Sequence, residues 1–108
     1  MAADHYTYRV SWSPEDEEYV ATCAEFPSLS WLDIDAVDAL REVKQLVRTV
    51  LEDMAANRED IPQPIADKSY SGKFLVRVPP DLHRKLALEA AESHVSLNRH
   101  VSHKLALA

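Results

Sequence analysis

Residues 72–80, Gly72-Lys73-Phe74-Leu75-Val76-Arg77-Val78-Pro79-Pro80, alternate with a period of two and run straight into two helical patterns. Successive side chains of an extended chain point to opposite sides, so Phe74, Val76 and Val78 share one face and Lys73, Leu75 and Arg77 the other. One face is apolar and the other carries two cations. A single strand with two short helices is too small to stand by itself, and Pro79 cannot donate into a ladder, so its pairing must come from elsewhere. A second copy of the chain can supply that pairing; an ordinary edge strand of a larger sheet is the competing reading.

The helical patterns have local start and stop signals. Pro80 and Asp81 suit a first turn, because proline is tolerated at N1 and an acid favours the positive end of the helix dipole. Leu82, Leu86 and Ala90 follow at i, i+4 spacing. The pattern breaks at Ser93-His94-Val95, and Ser96 stands where an N-cap precedes Leu97, Val101 and Leu105. Strand, helix, short turn and helix thus occupy about forty residues. At these positions the chain resembles the ribbon-helix-helix family, through the alternating strand, the proline after it and the Val95-Ser96-Leu97-Asn98 entry to the second helix.

The resemblance implies an antiparallel two-stranded ribbon, formed by a dimer and set in the major groove of DNA. Lys73, Leu75 and Arg77 would face the bases: Arg77 bidentate to guanine, Lys73 with a single contact to guanine or phosphate, Leu75 against a thymine methyl. The backbone N–H groups of Ser96, Leu97 and Asn98 would hold a phosphate at a helix N-terminus. Phe74, Val76, Val78, Leu82, Leu86, Leu97 and Val101 would form the dimer core. Families of this kind often place glycine between the two helices, where this chain has His94; local strain or an altered turn is expected there.

The N-terminal part differs in charge and pattern. Residues 1–65 hold 14 Asp/Glu and 5 Lys/Arg, a net of −9, whereas residues 66–108 hold 4 and 7, a net of +3. Four of the five histidines, His83, His94, His100 and His103, lie in the basic part, where a phosphate field would favour their charged forms. Tyr6, Tyr8, Val10 and Trp12 alternate against Thr7, Arg9 and Ser11, the mark of a half-buried strand. Ser13 to Glu18 makes a polar turn, Tyr19 to Ala24 a second strand, and a third short strand follows Pro27-Ser28 and ends near Leu32. From Ala36 to Asn57, Val37, Leu40, Val43, Val47, Val50 or Leu51, and Met54 recur every three or four residues, with Asp33 or Asp35 as candidate caps. This is a helix of roughly 30 Å whose apolar stripe covers one face of the meander.

The fold class expected is therefore α+β. Residues 1–60 form an antiparallel meander under a long helix, residues 61–72 a proline-containing connector with room for a fourth strand, and residues 73–108 the strand-helix-helix domain. Two prolines at Pro62 and Pro64 favour a stiff, extended connector.

Tyr6 to Trp12, the acidic turn before Tyr19-Val20, Glu25-Phe26-Pro27, the long helix and Ser71-Gly72-Lys73 together resemble the HicB antitoxin family over nearly the whole chain. The family pattern carries glycine where Glu17, Glu18 or Ser28 stand here. The resemblance implies an N-terminal domain with a degenerate, inactive ribonuclease H-like fold that blocks a HicA-like RNA-cleaving toxin, and a C-terminal domain that represses the shared operon by binding operator DNA. Glu15, Asp16, Glu17 and Glu18 are the candidates for meeting a toxin surface built to hold RNA phosphates. An orphan regulator without a toxin, its N-terminal domain serving oligomerisation, is the other reading. Either would be a homodimer, or a tetramer if two dimers join through their N-terminal domains.

Enzymatic chemistry is not expected. Asp33/Asp35 and Asp16/Glu18 are carboxylate pairs of the kind that hold a catalytic metal, but they lie near turns and caps where acids are wanted anyway. His100 and His103, with His94 near them, lack an acid or cysteine to complete a metal set. No G-x-S-x-G setting is present, and no cofactor is expected. Cys23 is the single cysteine, which excludes an intrachain disulfide, and it reads as a small buried residue. No apolar run approaches the roughly 20 residues needed to span a bilayer, and residues 1–5 lack a basic stretch followed by an apolar one; a cytoplasmic location follows as the expectation.

Overall fold

The alternation of the N-terminal part is realised as three antiparallel strands, β1 (Tyr8–Ser13), β2 (Glu18–Cys23) and β3 (Phe26–Asp33), joined in the order β1-β2-β3. They are seen in a computed structural model that describes residues 2–108. The chain divides into two units, Met1–Tyr70 and Ser71–Ala108, each taken by itself below.

In the first unit the register sets Tyr8 against Cys23, Val10 against Ala21 and Trp12 against Tyr19, and on the far side Ala21 against Trp31 and Tyr19 against Asp33. These side chains lie on the face covered by the long helix α1 (Ala36–Ala56). Asp35 is its N-cap, its carboxylate accepting from the amides of Val37 and Asp38 at 2.9 and 3.0 Å. Ala39, Val43, Val47 and Leu51 are buried at i, i+4 spacing. Cys23, Phe26 and Tyr6 pack under Val47 and Leu51, with the Tyr6 and Phe26 rings edge to face at 5.4 Å. Ala21, Ala39 and Val43 form the other end of the core. Cys23 is buried, and loss of hydration pushes its thiol pKa upward.

Three expectations need correction. Val37 is not part of the apolar stripe but 65% exposed, because at 100° per residue it stands about 200° around the helix from Ala39. The connector forms no fourth strand; a single 3-10 turn, Ile65–Asp67, is its one regular element. The first strand begins at Tyr8, and Ala2–His5 ahead of it forms another short 3-10 turn.

The second unit contains α2 (Pro80–Glu92), with proline in its first turn, and α3 (Leu97–Ala106). Ser96 caps α3, its hydroxyl accepting from the Arg99 amide at 3.0 Å. The turn between them is a Schellman motif: the Val95 amide donates to the Ala90 carbonyl and the His94 amide to that of Ala91, with His94 left-handed at φ 56°. α1 ends the same way, with Arg58 at φ 57° and its amide and that of Glu59 donating to Ala55 and Met54. Glu17, in the β1–β2 turn, is a third such residue at φ 53°.

Candidate nucleic-acid interface

Residues 73–79 are exposed and belong to no helix or ladder. Their alternation is present, but a strand needs a partner ladder, and the single chain offers none. Phe74 is 78% exposed and Leu75 81%. Gly72, at φ 81°, turns the chain into this segment. Among the described residues, Lys73 and Arg77 make no side-chain ion pair or hydrogen bond.

The apolar residues expected to form a dimer core gather around one concavity. Val76, Val78, Leu82, Leu86, Leu97 and Val101 all line it, and Phe74 lines the adjoining hollow with Leu97, Asn98 and Leu105. Among the described residues of this unit only Ala90 is buried. A unit of this size that leaves its apolar faces in water has surface still to be covered.

The two helices are tied by Glu89, which accepts from His100 at 3.0 Å and pairs with Lys104 at 3.3 Å. The His100 contact, then that of Lys104, holds the Glu89 carboxyl below its ordinary pKa against the opposing effect of burial. The His100 ring is thereby held against α2. The amides of Ser96, Leu97 and Asn98 are at the start of α3, as capping by Ser96 requires.

The acidic candidates lie elsewhere, in the first unit. Pro14 to Glu17 form the β1–β2 turn, where the Ser13 hydroxyl donates to Asp16 at 2.8 Å. Asp16 is thus a turn residue, while Glu15, Glu17 and Glu18 have no partner among the described residues. Asp35 is the cap of α1, and Asp33 accepts the Asp35 amide at 2.9 Å in the turn before it.

One residue escaped the sequence reading. The Glu25 carboxylate accepts from the Thr7 amide (2.9 Å), the Thr7 hydroxyl (3.2 Å) and the Ile65 amide (2.9 Å). Burial works against its charge, but the Ile65 and Thr7 amides outweigh that and hold its pKa below the ordinary value. The Tyr6 hydroxyl donates to the Pro62 carbonyl at 2.6 Å, and His5 meets Asp67 at 2.8 Å. The connector is therefore fastened to the sheet unit through residue 67. Partners forty to sixty residues apart leave no local pattern that could have revealed this.

Comparison with known proteins adds one finding. Residues 56–105 match the HicB family. No curated protein and no solved structure matches the chain. The HicB match starts at the last residue of α1 and ends within α3, so it takes in Lys73, Leu75, Arg77 and the Ser96-Leu97-Asn98 helix entry. The three-stranded sheet with Glu15 to Glu18 lies before it. No helix among the described residues is long and apolar enough to cross a membrane.

Proposed function

We propose that the chain is a HicB-family antitoxin and autorepressor. It would be a homodimer whose paired 73–78 segments form a ribbon-helix-helix DNA reader, with a degenerate ribonuclease H-like sheet unit that binds and blocks a HicA-like toxin. The observation that carries the reading is the coincidence of the HicB match with a bare, alternating segment, apolar on one face and cationic on the other. Pairing two such segments antiparallel covers Phe74, Val76 and Val78 and leaves Lys73, Leu75 and Arg77 of both copies on the opposite face, the width of ribbon that the major groove admits. The chain has no catalytic role in this reading, and it works in the cytoplasm, on the nucleoid when bound to its operator.

The HicB match stops short of the sheet, which favours as second reading an orphan regulator whose first unit serves only for assembly.

Anisotropy titration of the chain against its own upstream DNA, over a range of salt, tests the DNA half. Arg77→Ala is expected to weaken binding by about 1–3 kcal/mol and relax base preference, and Lys73→Ala/Arg77→Ala to abolish selectivity. Unselective binding by the wild type at low salt would leave the C-terminal unit as a dimerisation device.

A further inference from the structure

β1 is an edge of the sheet, and its outer side is bare. The Ala24 amide donates to the Thr7 carbonyl at 2.9 Å, and the register then runs unbroken from Tyr8 against Cys23 to Ser13 against Glu18. In an antiparallel pair, residues bonded to the neighbouring strand alternate with residues whose N–H and C=O point away from it. Arg9, Ser11 and Ser13 therefore bond to β2, as Thr7 does, and the backbone groups of Tyr8, Val10 and Trp12 point out of the sheet. Among the described residues no strand takes them up. An unprotected edge of this kind templates pairing with another chain. β3, the opposite edge, is blunted by Pro27 and by the register shift at Thr22/Cys23, whereas β1 has no proline, glycine or bulge. α1 packs more on β2 and β3 than on β1, and Trp12 remains 51% exposed.

We propose that β1 pairs antiparallel with β1 of a second copy about a two-fold axis at Val10, joining two sheet units edge to edge. Outward groups can bond only to outward groups, and the register centred on Val10 matches all of them: Val10 meets Val10, and Tyr8 meets the copy's Trp12 at both ends. Each of these pairs exchanges two hydrogen bonds, and the aromatic pairs cover Trp12. On the other face Arg9, the single charge of the strand, stands opposite Ser11 and not opposite itself. Charge selects the occupant. Antiparallel pairing carries the acidic β1–β2 turn of each copy past the Tyr8 end of the other, where Lys44 lies 5.5 Å over the Tyr8 ring; a basic strand from another protein would meet Arg9 and Lys44 with like charge. A seam of one strand per copy is small, so it joins units that are already folded and does so reversibly. The interface uses only residues ahead of the HicB match and stands apart from the ribbon and toxin readings.

Disulfide trapping in the full chain tests it. In this register Arg9 and the copy's Ser11 form a non-hydrogen-bonded pair with Cα atoms about 4.5 Å apart, a span that a disulfide bridges. Both are exposed, so Arg9→Cys/Ser11→Cys spares the fold, and Cys23 is buried. Diamide is expected to convert this variant into a covalent dimer, while Ser30→Cys, at an exposed position of β3, stays monomeric on the same non-reducing gel. The cross-link should still form with Val76→Asp, which leaves the second unit unpaired, and be lost with Trp12→Lys, which sets a charge in the seam; circular dichroism checks that this last variant keeps the wild-type fold. In the wild-type chain the amides of Tyr8, Val10 and Trp12 should gain protection from hydrogen exchange as concentration rises. No covalent dimer, or one that Ser30→Cys forms equally, overturns the interface. So does its loss in Val76→Asp, its survival in a folded Trp12→Lys variant, or fast exchange at those three amides at every concentration.

Discussion

The two units handle their apolar residues in opposite ways. Residues 1–70 fold three strands and one helix around Tyr6, Cys23, Phe26, Val43, Val47 and Leu51, all buried. Residues 71–108 have comparable apolar side chains at helical and strand spacing, yet bury only Ala90 among the described residues. The difference lies in what each unit can reach. The sheet unit contains both layers that a core needs, whereas the second unit has two short helices and one unpaired segment, which is half of a layered structure. One unit encloses its core within a single chain, and the other leaves its apolar residues largely exposed.

That contrast can be broken most forcefully in the sheet unit. Phe26→Ala removes a buried ring that faces Tyr6 and is expected to cost about 3–5 kcal/mol, unfolding residues 1–70 in a denaturant titration at a midpoint independent of protein concentration. The second unit should behave otherwise. Its melting is expected to follow concentration, each tenfold dilution lowering its stability by about 1.4 kcal/mol, and Val76→Asp should abolish the dependence by blocking association in analytical ultracentrifugation. A concentration-independent melt for residues 71–108 would mean that they are stable without a partner.

Glu25 sharpens the comparison from the other side, because the sheet unit uses it to take the connector as part of itself. Its pKa is depressed in the folded chain, so the ionised carboxylate stabilises the fold above the unfolded value, and the contribution is lost as pH falls through the folded one. Glu25→Gln should cost about 1–2 kcal/mol, less than a fully buried charged hydrogen bond because the site is partly solvated. It should also reduce the acid-side decline in stability by the Glu25 share and speed hydrogen exchange at the Ile65 amide. The smallest change expected is a gain: His94→Gly relieves a left-handed residue in the α2–α3 turn and should stabilise the second unit by about 1 kcal/mol, read as a rise in its melting temperature.

What could be read from the sequence follows the range of the interactions. Pro80, Ser96 and Asp35 mark helix starts because capping acts within three residues, and the meander is visible because Tyr8, Val10 and Trp12 alternate within one strand. The left-handed His94 was legible only through the resemblance, which sets a glycine at that turn. Glu25 was not, because its donors come from residues 7 and 65. Val37 misled, because its i, i+3 step to Leu40 fits a helical stripe whose true centre, set by the sheet beneath, runs through Ala39 and Val43. In the 73–78 segment the alternation is legible, but no strand forms within the chain, because a strand needs a partner ladder.

The bare face of Phe74, Val76 and Val78 ties the proposed repressor to dose. With its core supplied by a second copy, the DNA-reading form rises with the square of the chain's concentration while copies are scarce, so that halving the supply cuts the reader about fourfold. Loss of the protein from the cell would then reopen its operon abruptly, without any effector ligand, because an unaccompanied chain has no finished surface with which to read DNA.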